Sequence, residues 1–167
     1  QGNVVFGGVY LERGPHTLVQ GNLVGTNATG TAGVGSLGQG VNGSRDAHSC
    51  TIGGTVPGAG NVISGNSSRG VFVRGPGWVV QGNLIGVRAD GVSPLGNGED
   101  GLEVVADAGG PFATLIGGDA AGAGNVIAFN GTGMWGGAGI VIADSPAGYP
   151  PQTGNSILSN AIYANQA

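Results

Sequence analysis

The sequence predicts an all-β solenoid, a fold in which short parallel strands lie in stacked coils, and three observations predict it. Glycine makes up 39 of the 167 residues, which disfavours helices because an interior glycine costs a helix about 1 kcal/mol relative to alanine. Short motifs recur along the chain, and each recurrence carries an asparagine at the same place. These features are typical of arrays whose small units bury apolar residues only by stacking.

Two motifs establish the internal repeat. The run Val-Gln-Gly-Asn-Leu at 19–23 returns at 80–84, and the run Ile-Gly-Gly at 52–54, with Gly-Ala-Gly-Asn-Val-Ile at 58–63, returns at 116–118 and 122–127. We interpret 1–167 as one domain of about five coils with three short strands each. After a partial coil at 1–7, the coils are predicted to begin near Gly8, Gly40, Gly70, Gly101 and Gly139.

The three strands of a coil are recognised by different signals. The first strand is the apolar run that opens the coil, where aliphatic residues recur at Val9, Val41, Val71, Leu102 and Ile140. The second strand is predicted at 18–20, 51–53, 79–81, 114–116 and 156–158. The third strand places an aliphatic column at Val5, Val24, Ile63, Ile85, Ile127 and Ile162. Because alternate residues of a strand face opposite sides, each column is predicted to face the core.

An asparagine precedes the third strand in all six copies. Asparagine tolerates the left-handed backbone conformation of a sharp bend, and its amide both donates and accepts hydrogen bonds. At the strand spacing of about 4.8 Å, stacked amides can bond to one another along the axis. We therefore predict a structural asparagine ladder, formed by Asn3, Asn22, Asn61, Asn83, Asn125 and Asn160.

The residue after each corner asparagine is also apolar, which gives a second aliphatic column. Its members are Val4, Leu23, Val62, Leu84, Val126 and Ala161. Simple alternation places this column outside, where a continuous apolar stripe would be adhesive. Two explanations remain: the bend resets the alternation so that both columns are buried, which we expect, or the stripe is covered by a loop or another chain.

Four stretches of the sequence carry a resemblance to known proteins. The runs IGG and GAGNVISGN at 52–54 and 58–66, VVQGNLIG at 79–86, LGNGEDGLEV at 95–104 and GNSILSNAIYAN at 154–165 resemble the right-handed parallel β-helix repeat proteins of the pectin-lyase-like superfamily. More narrowly, they resemble repeat arrays of secreted and cell-surface bacterial proteins. The resemblance implies a right-handed parallel β-helix and an extracellular or cell-surface location. It does not imply one function, because lyases, hydrolases, tailspikes and adhesins share this fold.

Charge and hydropathy exclude two classes of partner. The formal net charge is −4 and lysine is absent, so the basic surface of a nucleic-acid-binding protein is not expected. No apolar run approaches the roughly 20 residues of a membrane-spanning helix, so membrane insertion is not expected either. The single cysteine, Cys50, is interpreted as a small buried residue.

Candidate chemistry is sparse, and no residue is assigned as catalytic. The densest acidic group, Glu99, Asp100, Glu103 and Asp107, is a candidate Ca²⁺ site or acid/base pair. His16 and His48, with Asp46 and Cys50 nearby, form a candidate transition-metal corner, although surface positions are the favoured interpretation of both histidines. Sequons for glycosylation begin at Asn27, Asn42, Asn66 and Asn130.

The ends of the chain suggest the partner. Solenoids normally carry atypical capping units with a polar outer face, whereas this chain opens and closes on third-strand segments at 3–6 and 160–163. We therefore expect uncapped ends that contact copies of the same chain end to end or flanking coils of a longer chain. A cell-surface glycan is a further candidate partner.

Three functions are considered. The leading hypothesis is a non-catalytic extracellular structural module, such as a stalk, an adhesin segment or a fibre subunit. The alternative is a polysaccharide lyase or glycoside hydrolase with a groove on one face, which a cluster of two carboxylates and an arginine on one face would favour. An ice-binding face ranks last because Thr17, Thr51 and Thr114 are too few.

Overall fold

A computed structural model describes residues 2–35, 37–105, 113–143 and 153–166, and their regular structure consists of short strands. The strands are, in chain order, β1 (Val4–Val5), β2 (Val9–Leu11), β3 (Leu18–Val19), β4 (Leu23–Val24), β5 (Val41–Gly43), β6 (Thr51–Gly53), β7 (Val62–Ile63), β8 (Val71–Arg74), β9 (Val79–Gln81), β10 (Leu84–Ile85), β11 (Leu102–Val105), β12 (Leu115–Gly117), β13 (Val126–Ala128), β14 (Ile140–Ala143), β15 (Ser156–Leu158) and β16 (Ala161–Tyr163). In these ranges there is no helix of the length and apolarity needed to cross a bilayer.

The strands form three parallel sheets, because each strand pairs with its equivalents in the neighbouring coils. Sheet A has the order β1-β4-β7-β10-β13-β16, sheet B the order β2-β5-β8-β11-β14 and sheet C the order β3-β6-β9-β12-β15. The chain visits sheets B, C and A in turn, which makes one coil. The prediction of a right-handed parallel β-helix with three strands per coil and about five coils is confirmed.

The core lies between the three sheets and is built from the predicted aliphatic columns. In sheet A, Ile85 pairs with Ile63 and Ile127. Where a coil has neighbours on both sides, the inward residues are fully buried, namely Val24, Val41, Ile52, Ile63, Val71, Val80, Ile85, Leu102, Ile116 and Ile127. One column is interrupted by Gly43, which leaves the space that the buried Trp78 ring occupies, since a Cβ there would lie 2.3 Å from the ring.

One strand of sheet C lies one residue later than predicted. The predicted segment was 114–116, whereas β12 spans Leu115–Gly117 and pairs Ile116 with Val80. Thr114 precedes the strand, and its main-chain N–H donates to Asn155 Oδ1 at 3.0 Å. The shift keeps Ile116 inward and fully buried, and this burial outweighs the strand preference of Thr114.

The apolar stripe of sheet A lies outside the core cluster, and its members differ in burial. Val62 is buried as expected, whereas Leu23 and Leu84 are only partly buried. The inward neighbours Val24 and Ile85 belong to the core cluster, whereas Leu23 and Leu84 do not. Two loops fold back over the stripe, each closed by an antiparallel bridge, Thr26 with Gly33 and Val87 with Pro94. A Cβ added at Gly30 would lie 3.3 Å from Leu23 Cδ2, and one at Gly91 would lie 3.6 Å from Leu84 Cδ2. The two loops therefore contact Leu23 and Leu84, two members of the stripe.

A column of glycines marks the corner at which each coil enters sheet B. A Cβ at Gly101 would lie 2.6 Å from Ile127 Cγ2, 2.7 Å from Gly139 O and 2.8 Å from Asn130 Nδ2. Gly70 has the equivalent contacts with its own coil and the next. Only glycine fits where backbone, aliphatic column and asparagine side chain meet this closely.

Candidate functional site

The predicted asparagine ladder is present and links all six coil corners. At its centre, Asn83 Oδ1 accepts hydrogen bonds from the main-chain N–H and the side-chain Nδ2 of Asn61, at 3.1 and 2.9 Å. Asn83 Nδ2 donates to Asn125 Oδ1 at 3.0 Å and to Ile52 O at 2.9 Å. The remaining contacts join Asn3 to Asn22, Asn22 to Asn61 and Asn125 to Asn160. Each buried amide is thus satisfied by the coils above and below.

A second asparagine ladder, which was not predicted from the sequence, runs along the corner between sheets A and B. Its members are Asn66, Asn97, Asn130 and Asn165. Asn97 Nδ2 donates to Asn130 Oδ1 at 2.8 Å and to Ile63 O at 3.0 Å. A signal was available, because Asn66, Asn130 and Asn165 follow their aliphatic column residues at the same spacing. Asn97 does not follow its column residue Ile85 at this spacing, because the loop 87–94 lies between them.

Two of the four candidate glycosylation sites are members of this second ladder. Asn66 and Asn130 are buried, and their Nδ2 atoms donate to Asn97 and Asn165. A glycan on either Nδ2 would remove a buried donor and require space that the ladder occupies, so the burial of these two residues weighs against their modification in the folded chain. Asn27 and Asn42 are partly exposed, and glycosylation there stays a prediction.

Charged residues gather at one place on the outer side of sheet B. Arg69 Nη1 lies 2.9 Å from Glu99 Oε2, and Arg69 Nε lies 3.6 Å from Asp100 Oδ2 and pairs with Glu103 Oε2. The three carboxylates are close together in the sequence, whereas Arg69 lies one coil earlier and was not predicted to join them. Sheet B pairs Leu102 with Val71, and this register brings Arg69 beside the carboxylates. We call these four residues the Arg69 cluster.

An aromatic ring extends the Arg69 cluster along sheet B. Phe72 occupies the outward position that pairs with Glu103. The guanidinium carbons of Arg69 and Arg74 lie 5.3 and 4.8 Å from the centre of its ring. Cation–π attraction and the arginine side chains cover Phe72, which is buried although it faces outward. The arginines therefore act here as packing residues as well as charges.

The Arg69 cluster places a guanidinium among the carboxylates that were the candidate calcium ligands. Asp100 is further engaged through Oδ1, which accepts the Ala138 N–H at 2.8 Å. Asp107, the fourth candidate, lies outside the described residues. Across the described ranges no group of three or more His, Cys, Asp or Glu side chains is arranged to hold a metal ion. The geometry therefore supplies an internal ion-pair network at this position.

The histidine corner is held together by backbone contacts. His16 N–H donates to His48 O at 3.2 Å, which places the two histidines in neighbouring coils as expected. Cys50 is fully buried, and its Sγ lies 3.4 Å from His48 O and 3.5 Å from Gly14 O. The thiol packs as a small buried group, in line with the interpretation of Cys50 from the sequence.

A groove lies outside sheet A, away from the Arg69 cluster. It has a volume of about 570 Å³ and is bordered by Val62, Leu84 and Ala89 with the loop 54–58. Among the described residues that line it, none has a titratable side chain. The groove and the Arg69 cluster are thus on different faces of the solenoid.

Asp90 has the single resolved pKa shift among the described residues. Hydrogen bonds from the Ser93 side chain, the Ser93 N–H and the Val92 N–H lower its pKa from 3.8 to about 2. The main-chain bonds to Asp90 Oδ1 are 2.8 and 2.9 Å long. Asp90 is exposed and closes the tip of the loop that covers Leu84, which is a structural role.

Comparisons with family models, with curated proteins and with solved structures find no match to this chain.

Proposed function

We propose that this chain is a non-catalytic extracellular structural module, a rigid β-solenoid segment of a surface stalk, an adhesin or a fibre. The observation that carries the proposal is the continuity of the axial contacts. The buried columns and both asparagine ladders run from coil to coil through the described residues, so each coil is stabilised by its neighbours. Such an array resists bending and extends by adding coils.

The family, the location and the partners belong to the same proposal. Membership of the pectin-lyase-like superfamily and an extracellular or cell-surface location rest on the repeated motifs quoted above. The partners proposed are copies of this chain or flanking coils of a longer chain, with a cell-surface glycan as a further candidate. The same motifs support all of these, since they are what the chain shares with secreted repeat arrays.

A polysaccharide lyase or hydrolase is the second candidate, because the Arg69 cluster combines an arginine with three carboxylates on one face. Two observations weigh against it. Arg69 is paired to the carboxylates themselves, and the groove that would hold a glycan lies on another sheet. A general acid or base has to lie within hydrogen-bond reach of the bound substrate.

A depolymerisation assay separates the two candidates. The full chain is incubated with acidic and neutral polysaccharides, with and without Ca²⁺, and new reducing ends and unsaturated uronate products are measured. We expect no product above a protein-free blank. Product release that Glu103→Gln abolishes, but that Glu12→Gln on an exposed surface retains, would overturn the structural proposal and establish the enzyme.

A further inference from the structure

The loop between β13 and β14 displays two large apolar side chains to solvent. Met134 is 87% and Trp135 is 83% exposed, whereas Trp78, the other tryptophan of the chain, is fully buried. Tryptophan has a large apolar side chain and is highly buried on average in folded proteins. The exposure of Trp135 is unfavourable for the chain alone, because nearly all of the indole remains in contact with water.

The backbone of this loop is held in place on both sides of the two residues. Gly131 N–H donates to Asn97 O at 3.0 Å, and Ala138 N–H donates to Asp100 Oδ1 at 2.8 Å. In total five main-chain N–H groups of the loop donate to neighbouring coils, at Gly131, Thr132, Gly133, Gly137 and Ala138. The solenoid therefore determines the path of the loop.

A tight turn presents the two side chains at the tip of the loop. Gly136 N–H donates to Gly133 O at 3.3 Å, which places Met134 and Trp135 at the two central positions of a four-residue turn. Side chains at these positions project away from the turn. Because the turn is already formed, little conformational entropy is lost when a ligand contacts it.

The size of the apolar surface indicates the kind of ligand. An aromatic side chain buries about 150 to 250 Å², so Met134 and Trp135 together fall well short of the roughly 800 Å² per partner of a stable protein interface. The face of one indole matches a single pyranose ring in size. The negative π face also attracts the partly positive C–H groups on the apolar side of a sugar ring.

The charges beside the loop indicate which ligands are disfavoured. The loop contacts the Arg69 cluster through Asp100, and the three carboxylates of that cluster exceed its one guanidinium by two negative charges. The chain also contains no lysine. Like charges repel across an interface, so acidic polymers and anionic lipid surfaces are disfavoured here.

We propose that the turn 133–136 is a binding site for a neutral glycan, in which Trp135 stacks on the apolar face of a pyranose ring and Met134 packs against the edge of that ring. This inference rests on the structural function proposed above and specifies the class of its candidate glycan partner. The carboxylates beside the loop are engaged with Arg69, so the glycan is bound without cleavage. Contact with one turn gives weak binding, which several copies of the chain on one surface would strengthen.

Affinity electrophoresis of the full chain tests the site. Native gels contain a soluble neutral polysaccharide of glucose, mannose, galactose or N-acetylglucosamine units, and binding retards the protein. We expect retardation in at least one gel, and Trp135→Ala should weaken it about tenfold, the typical effect of removing an aromatic stack. The control Val56→Ala changes another exposed apolar residue, beside the groove outside sheet A, and should be retarded like the original chain.

Tryptophan fluorescence provides a second readout. The glycan that retards the chain should shift the emission of Trp135 to shorter wavelength, and Trp135→Phe, in which only the buried Trp78 emits, should show no shift. A shift with phosphatidylcholine vesicles but with no glycan would instead establish a lipid site and overturn the proposal.

Three gel results would also overturn the proposal: no retardation by any neutral polysaccharide, stronger retardation by polygalacturonate, or a loss in Val56→Ala that Trp135→Ala does not show. Absence of binding would remove this site and leave the structural module intact. Cleavage of the polysaccharide, measured as new reducing ends, would instead overturn the proposed function, so the two failures are distinguishable.

Discussion

The central coils and the end coils both carry asparagine at the ladder position and aliphatic residues in the sheet A core column, yet these residues differ in burial. Ile85 in the middle of sheet A is fully buried, whereas Ile162 in the last coil is 46% exposed. Asn83 is buried between two asparagines, whereas Asn3 is exposed and has one. The burial of a residue in this fold therefore depends on whether coils lie on both sides of it. Matched substitutions in one column measure that dependence directly.

The largest difference is expected in the asparagine ladder. Asn83→Ala leaves both donors of Asn61 without their axial acceptor and removes the partner of Ile52 O, so we expect a loss of about 4 kcal/mol in the free energy of unfolding. Asn3→Ala breaks bonds at an exposed end and should cost under about 1 kcal/mol. Urea denaturation of both variants measures the difference. Equal losses would contradict the dependence on neighbouring coils.

The aliphatic column of sheet A should show the same trend with a smaller difference. Ile85→Ala creates a cavity in the core and is expected to cost about 3 kcal/mol, whereas Ile162→Ala, at a half-exposed position, should cost about 1 kcal/mol. Thermal and urea unfolding, with circular dichroism to check that the β structure is retained, measure both values. If Ile162→Ala costs as much as Ile85→Ala, the last coil is already covered by another chain in solution.

The glycine column should show the same difference between central and end coils. Gly101→Ala would place a Cβ against Gly139 O, a backbone atom that cannot move away, and we expect a loss of about 2 kcal/mol. At Gly139 the close neighbours within 3 Å are the side chains of Ile162 and Asn165 in the last coil. These can shift, so Gly139→Ala should cost about half as much. The measurement is the shift in urea midpoint, and a larger shift for Gly139→Ala would be inconsistent with a rigid centre and adaptable end.

The smallest effect concerns two covering loops that differ in how they are closed. In the loop of the third coil, Asp90 accepts the Val92 and Ser93 N–H groups, and in the loop of the first coil Asn27 Oδ1 accepts the Thr31 N–H. Since the folded pKa of Asp90 is lowered to about 2 from 3.8, its contribution is present above 3.8 and is lost as the pH falls toward 2.

Amide NMR shifts from pH 5 to pH 2 measure this loss. We expect the Val92 and Ser93 signals to move with an apparent pKa near the lowered value, while the Thr31 signal stays constant. The control variant Asp90→Asn keeps an acceptor oxygen and removes the titration. Unchanged Val92 and Ser93 signals in the original chain would show that the carboxylate does not close this loop.

Local signals in the sequence were sufficient for much of this structure. The first asparagine ladder was predictable because each member directly precedes an aliphatic strand, and the lengths of the loops do not change this spacing. The second ladder was hidden because the loop 87–94 separates Asn97 from its column. The Arg69 cluster was predicted only in part, since Glu99, Asp100 and Glu103 are close in sequence, whereas Arg69 becomes their neighbour through the register of sheet B.

The repeat by itself determined that the chain forms a parallel solenoid, which aliphatic residues stack and which corner amides pair, because these follow from periodic spacing and strand alternation. The contacts of the loops with Leu23 and Leu84 and the position of a guanidinium among the carboxylates became clear only from the three-dimensional structure. These features depend on contacts between side chains of different coils. The separation of two residues along the chain does not specify such contacts.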